Sequence, residues 1–156
     1  MGYKFGKRSK EKLATCHKDI QAVLNLAITR SRVDFGVSEG HRPVERQKEL
    51  YAIGRTVDKF KRTITNVDGV RNKGKHNVEP SEAVDIYVWH DSASRRKQIS
   101  YDEVHLSYVA GIIESCALEL KAKGKIRSVI RWGGNWDSDG VIKFDQNLND
   151  MPHFEI

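Results

Sequence analysis

Two kinds of hydrophobic spacing interleave along this chain, and their order limits the fold more than any other feature. A helical period runs from Ser9 to about Arg30 through Leu13, Cys16, Ile20, Val23, Leu24, Ala27 and Ile28, with Ser9 placed as an N-cap. It returns at Pro43, whose fixed φ suits a first helical turn, and continues to a stop at Gly54. The longest such period joins Leu106, Val109, Ile112, Ile113, Cys116, Ala117 and Leu120, and ends in Lys121, Lys123 and Gly124. Between these stretches lie strand candidates at Val33–Ser38, Ala83–Trp89, Ser128–Trp132 and Pro152–Ile156. In the second of them Ala83, Asp85, Tyr87 and Trp89 share one face, and Val84, Ile86 and Val88 the other. The last strands are joined by turn-rich sequence too short for crossover helices. The pattern therefore predicts an α+β fold with a mostly antiparallel sheet and flanking helices. Arg55–Lys75 has no sustained period and reads as a long basic surface loop, and His90–Ser100 reads as a polar connection.

The chain has 156 residues, the size of one domain, and no internal repeat or linker divides it, so residues 1–156 are expected to form a single domain. No run approaches the ~18 consecutive apolar residues of a membrane span, and the opening MGYKFGKRSKEK lacks the apolar middle of a secretory signal. A protein made inside the cell, without membrane insertion, is the expectation. Cys16 and Cys116 fall on apolar helical stripes and read as small core residues in a reducing compartment. The net charge of +6 predicts attraction to an anionic polymer: nucleic acid, an acidic membrane and an acidic cell wall all qualify, and a solvated basic face needs no partner. The basic residues are scattered rather than gathered into a recognised nucleic-acid-binding motif, which argues against nucleic acid.

Three protein ligands and one open position are what a catalytic zinc site requires, and two segments concentrate suitable residue types. The first, KHNVEPSEAVD, places His76 at the mouth of a loop and Asp85 nine positions later on a strand. The second, DMPHFE, places His153 on the final strand, with Glu155 on the same face and Asp150 just before it. Residue types and spacing alone leave two readings open: a shared metal, or histidines satisfied separately at the surface or in the core.

Taken together, SEGHRPVERQKELY, GKHNVEPSEAVDIY, RWGGNWDSDG and DMPHFEI resemble the D-Ala-D-Ala-type zinc peptidases, a group that includes the lysostaphin-like and Hedgehog-like folds. The opening MGYKFGKRSKEKLAT is similar to that of the L-alanyl-D-glutamate peptidase endolysins of tailed bacteriophages, and the resemblance runs the length of the chain. It implies Zn²⁺ bound by His76, Asp85 and His153, Asp150 as general base, and Arg42 of Gly40-His41-Arg42 as the cation that steadies the oxyanion. The sequence departs from the family pattern at Gly74, where a serine is common, and in the His76-to-Asp85 spacing of nine where seven is frequent. The extra residues around Glu79-Pro80 fit in a loop.

The chemistry agrees with that assignment. Amide hydrolysis near neutral pH needs an activated water, a carboxylate in hydrogen-bond reach to carry its proton, and a fixed positive charge. Glu155 is the alternative base, but its place two residues along a strand from a ligand suits a residue that orients a ligand histidine. Asp137, Asp139 and Asp145 resemble part of a Ca²⁺ loop without the closing glutamate of an EF-hand and read as a polar turn. Trp132 and Trp136 flank Gly133-Gly134, where one could wall a substrate groove or both could pack. His17, His90 and His105 need no function, and His41 is the first substitute if a ligand is misassigned. The resemblance implies an endopeptidase acting on the stem peptide of bacterial peptidoglycan, monomeric, held in the host cytoplasm until lysis admits it to the wall. Two rivals are a D,D-carboxypeptidase or dipeptidase on the same chemistry, and a non-catalytic wall-binding module.

Overall fold

A computed structural model describes residues 2–156; Met1, the first residue of the opening motif, lies outside the described residues. The elements run α1 (Lys7–Leu13), α2 (Lys18–Arg30), β1 (Phe35–Glu39), α3 (Val44–Ala52), a single 3-10 turn at Lys75–Asn77, β2 (Ala83–Val88), α4 (Ala93–Ile99), α5 (Glu103–Ala122), β3 (Arg131–Trp132) and β4 (His153–Glu155). The four strands form one antiparallel sheet in the order β1-β2-β4-β3, as the period analysis predicts.

The sheet has two unlike faces because β2 alternates. Val84, Ile86 and Val88 are fully buried and join Phe35, Val37, Trp132 and Phe154 in the core against α2 and α5. The α2 stripe of Ile20, Val23, Leu24, Ala27 and Ile28 meets the α5 stripe of Leu106, Val109, Ala110, Ile113, Cys116 and Ala117. At 20–33 cal/mol per Å² of apolar surface removed from water, each Val, Leu or Ile in these stripes contributes about 1.5–3 kcal/mol, and the alanines less. Arg30 pairs with Glu119 at the rim of this contact. The Asp102 carboxylate caps α5 by accepting from the His105 amide at 3.0 Å. Beyond its end, Gly124 turns away with a φ of +65° that an L side chain rarely adopts. The opposite face of the sheet carries Asp85 and His153.

Four sequence expectations are corrected. The stretch Ser9–Arg30 is two helices: the amide of His17 donates to Ser81 and that of Ser81 to Thr15, so the backbone at 14–17 is captured by a bridge to the loop before β2. Leu13, Cys16 and Ile20 are all buried, so the apolar spacing carries on across the corner. Ser9 is inside α1, buried, and its hydroxyl accepts from the amide of Val37, while the side chain that caps α2 belongs to His17. The polar segment after β2 contains α4, which buries none of its residues and so leaves no hydrophobic period to read. Pro43 stands as the N-cap of α3 rather than in its first turn. Cys16 lies at the corner between α1 and α2 and Cys116 on α5; both are buried free thiols.

Candidate active site

The antiparallel pairing of β2 with β4 sets Asp85 directly opposite His153. Side chains opposite one another on the same face are ~4.5–5.5 Å apart at Cβ, and here His153 Nδ1 comes to 2.9 Å from Asp85 Oδ1. The third group arrives from the Lys75–Asn77 turn. Its main chain is tied to the exit of β1: the Arg42 amide donates to the His76 carbonyl at 2.7 Å, and His76 Nδ1 donates to the Gly40 carbonyl at 2.8 Å. His76 Nε2 is thereby aimed inward, 3.3 Å from His153 Nδ1 and 3.3 Å from Asp85 Oδ2. The residues inserted between His76 and Asp85 are absorbed in a loop closed by the Glu82 amide donating to the Lys75 carbonyl.

These three donor atoms fit a metal ion. A tetrahedral zinc with bonds of ~2.0–2.1 Å has ligand atoms about 3.3 Å apart; His76 Nε2 is 3.3 Å from both His153 Nδ1 and Asp85 Oδ2, the other Asp85 oxygen is 2.9 Å from His153 Nδ1, and one donor atom from each residue lies within 4.8 Å of the others. The ring nitrogens pointing away from the cluster are both engaged, His76 Nδ1 by Gly40 and His153 Nε2 by Glu155 Oε2 at 3.1 Å. This is the outer support a metal-binding histidine needs, and it places Glu155 where an orienting carboxylate belongs. Burial opposes ionisation of Asp85, yet hydrogen bonds from His153 and His76 hold its carboxyl well below the usual range. Burial likewise opposes the charge on His153, but Asp85 and Glu155 outweigh it and push its pKa up to about 9. Hydrogen bonding to His153 keeps Glu155 low. His76, Asp85 and His153 would hold a cation here only with the His153–Asp85 proton given up, so binding would be favoured as pH rises.

Asp150 is half-buried, with Oδ2 4.0 Å from His153 Nδ1. Its main chain is clamped to the start of the Gly133 turn: its amide donates to the Gly133 carbonyl, and the Gly133 amide donates to His153. A Cβ at residue 133 would stand 2.2 Å from the Asp150 carbonyl oxygen, so glycine there permits the approach. Burial, helped by the negative charge of Asp85, raises the Asp150 pKa against the pull of His153, His76 and Arg42. Arg42 faces the same cluster, 3.8 Å from Asp85 Oδ2. Its guanidinium is already gripped, donating from Nε to Glu39 Oε1 at 2.9 Å and from Nη1 to Gln47 Oε1 at 2.9 Å.

These groups line a cleft of about 420 Å³ that also takes in Leu50, Ile64, Trp136 and Leu148. The two tryptophans divide the roles the sequence left open. Trp132 is core, stacked on Phe154 and donating to the Met151 carbonyl at 2.7 Å. Trp136 walls the cleft, with its ring 5.5 Å from that of His153. His41 is outside the cluster, and His17, His90 and His105 make local hydrogen bonds in caps and turns. Asp137, Asp139 and Asp145 come together in an exposed loop. Sequence reasoning missed Glu39, Gln47 and Asn77. Gln47 is 1% exposed and joins Arg42 to the long loop by donating to the Val67 carbonyl at 2.6 Å, while Asn77 donates to the Arg42 carbonyl at 3.0 Å. A glutamine on a sparsely apolar helix gives no sign of burial.

The chain is similar to known proteins along its whole length. The family model described as phage L-alanyl-D-glutamate peptidase matches residues 1–156. The solved structure of the L-Ala D-Glu endopeptidase ChiX from Serratia marcescens superposes with a TM-score of 0.65 at 25% identity, over 98% of this chain and 90% of that one. No curated protein matches the chain. With a sheet, a donor set and a cleft of the kind the sequence motifs predict, and a family match along its whole length, the chain belongs to the phage L-alanyl-D-glutamate peptidases.

Proposed function

We propose that residues 1–156 form a single catalytic domain that hydrolyses the L-alanyl-D-glutamate bond of peptidoglycan stem peptides with Zn²⁺ held by His76, Asp85 and His153. The convergence of those three donor atoms, each histidine fixed by an outer partner, is the observation that carries the reading. The chemistry such an ion supplies when bound is activation of water, whose pKa falls from about 15.7 to about 7 beside zinc. Asp150 takes the proton of the attacking water and returns it to the leaving amine; partial burial makes it a stronger base than an ordinary surface carboxylate. Arg42, unable to swing away from Glu39 and Gln47, presents fixed positive charge to the oxygen on which negative charge grows. Trp136 shields the reacting centre from bulk water.

The protein acts as a monomer, with peptidoglycan rather than nucleic acid as its partner, and functions in lysis after release from the host cytoplasm. None of the described helices is long and apolar enough to cross a membrane. Mass spectrometry of purified peptidoglycan after digestion tests the reaction. New L-alanine carboxyl and D-glutamate amino termini that vanish with chelator support it, and cuts confined to D,D bonds overturn it. Asp150→Asn separates catalysis from a wall-binding role: the variant is expected to keep its metal and lose hydrolysis by a factor of 10² or more.

A further inference from the structure

The face of β2 that carries Asp85 does not end at the cleft. Tyr87 and Trp89 follow on the same face, about 7 and 13 Å further along at a strand rise of ~3.3 Å per residue, and the Trp89 amide extends the ladder by donating to Asp34 at 2.8 Å. The Tyr87 ring lies over Gly36, where a Cβ would approach the ring to 2.6 Å, so the absence of a side chain at that position makes room for it. The two rings meet edge to face at 6.3 Å, and the Arg96 guanidinium rests 4.2 Å over the indole of Trp89. Between this aromatic pair and α1 runs a groove of about 450 Å³, rimmed by the exposed cations Lys4, Lys7 and Arg8. A second hollow of about 290 Å³ continues past Arg8, Tyr87 and Trp89 toward Ser38. None of these groups has a part in the hydrolytic site.

We propose that this groove docks the glycan strand of peptidoglycan while a stem peptide occupies the catalytic cleft. A pyranose ring has an apolar C–H face that matches the flat, rigidly held surface of an aromatic side chain. The cations on the rim suit a polymer whose stem peptides carry carboxylates. Continuity along one face of β2 lets both ends of the substrate be held at once. The assignment of the occupant rests on the peptidoglycan reading above.

The test uses intact sacculi in a sedimentation assay, with Asp150→Asn protein so that binding is read without turnover. Trp89→Ala, and Lys7→Glu combined with Arg8→Glu, are expected to weaken sedimentation about tenfold. Peptide-free glycan chains are expected to release the bound protein. In the otherwise unaltered chain, the same groove substitutions should slow digestion of sacculi and leave turnover of a sugar-free stem peptide unchanged. Should Trp89→Ala fail to fold, the double charge reversal on α1 carries the test. Variants that bind and digest sacculi as the parent does, or glycan chains that do not compete, overturn the proposal. A parent that cuts neither sacculi nor stem peptide refutes the hydrolase reading instead, and sedimentation still reports on the groove.

Discussion

His76 Nδ1 donates to the carbonyl of Gly40 across 2.8 Å, and this bond decides which ring nitrogen faces Asp85 and His153. Gly40 holds that position because the corner between α1 and α2 presses on it: a Cβ there would stand 2.4 Å from the Lys12 carbonyl oxygen and 2.9 Å from Cys16 Sγ. Gly40→Ala is therefore expected to displace the exit of β1 and release the ring of His76. Metal affinity should fall about 10–100-fold, the range typical of lost outer support, as measured by competition with a chromophoric chelator. Unaltered affinity would separate the corner from the site.

Glu155 is the corresponding support for His153. Glu155→Ala is expected to weaken metal binding about 10–100-fold while leaving hydrolysis close to that of the parent once zinc is saturating. A loss of turnover that excess zinc does not restore would instead make Glu155 a participant in the reaction.

Chelation should abolish hydrolysis without unfolding the chain, because the core lies on the face of the sheet opposite the cluster. Far-ultraviolet circular dichroism is expected to be retained. The melting temperature should rise when zinc is restored, corresponding to about 2.7 kcal/mol at a free concentration one hundred times Kd.

Asp19 ties the first turn of α2 to the segment before β3, accepting from the amides of Arg127 at 3.0 Å and Ser128 at 2.8 Å. Desolvation opposes its ionisation, but these bonds prevail and its pKa lies below the ordinary 3.8. A carboxylate with a lowered folded pKa adds stability that is complete above its unfolded value and lost as pH falls through the folded one. Asp19→Asn should then cost about 1–2 kcal/mol at pH 7, by urea denaturation, with the gap to the parent closing below pH 4. A gap that persists at pH 2 would rule out the charge as its origin.

The alternation in Ala83–Trp89 was enough to put Asp85 on the face opposite Val84 and Ile86, and His153 with Glu155 on one side of the last strand, because a strand's geometry is local. The limit of local reading appears at the corner after Leu13, where the apolar spacing continues although the first helix has ended. It appears again at α4, whose packing leaves no apolar mark. Gln47 is the clearest case: its burial depends on Arg42, Asn77 and Val67 closing around it, from segments that share no pattern with α3.

The sequence by itself determined the α+β class, the apolar stripes of α2 and α5, and the residue types able to hold a metal, since hydrophobic period and side-chain chemistry belong to each segment alone. Only the tertiary structure decided that Asp85 pairs with His153 in register, that His76 turns its Nε2 toward them, and that Arg42 is locked by Glu39 and Gln47. Those relations depend on hydrogen bonds and strand pairing between segments up to 77 residues apart. Contacts over such distances form only when the whole sheet closes, so no local pattern encodes them.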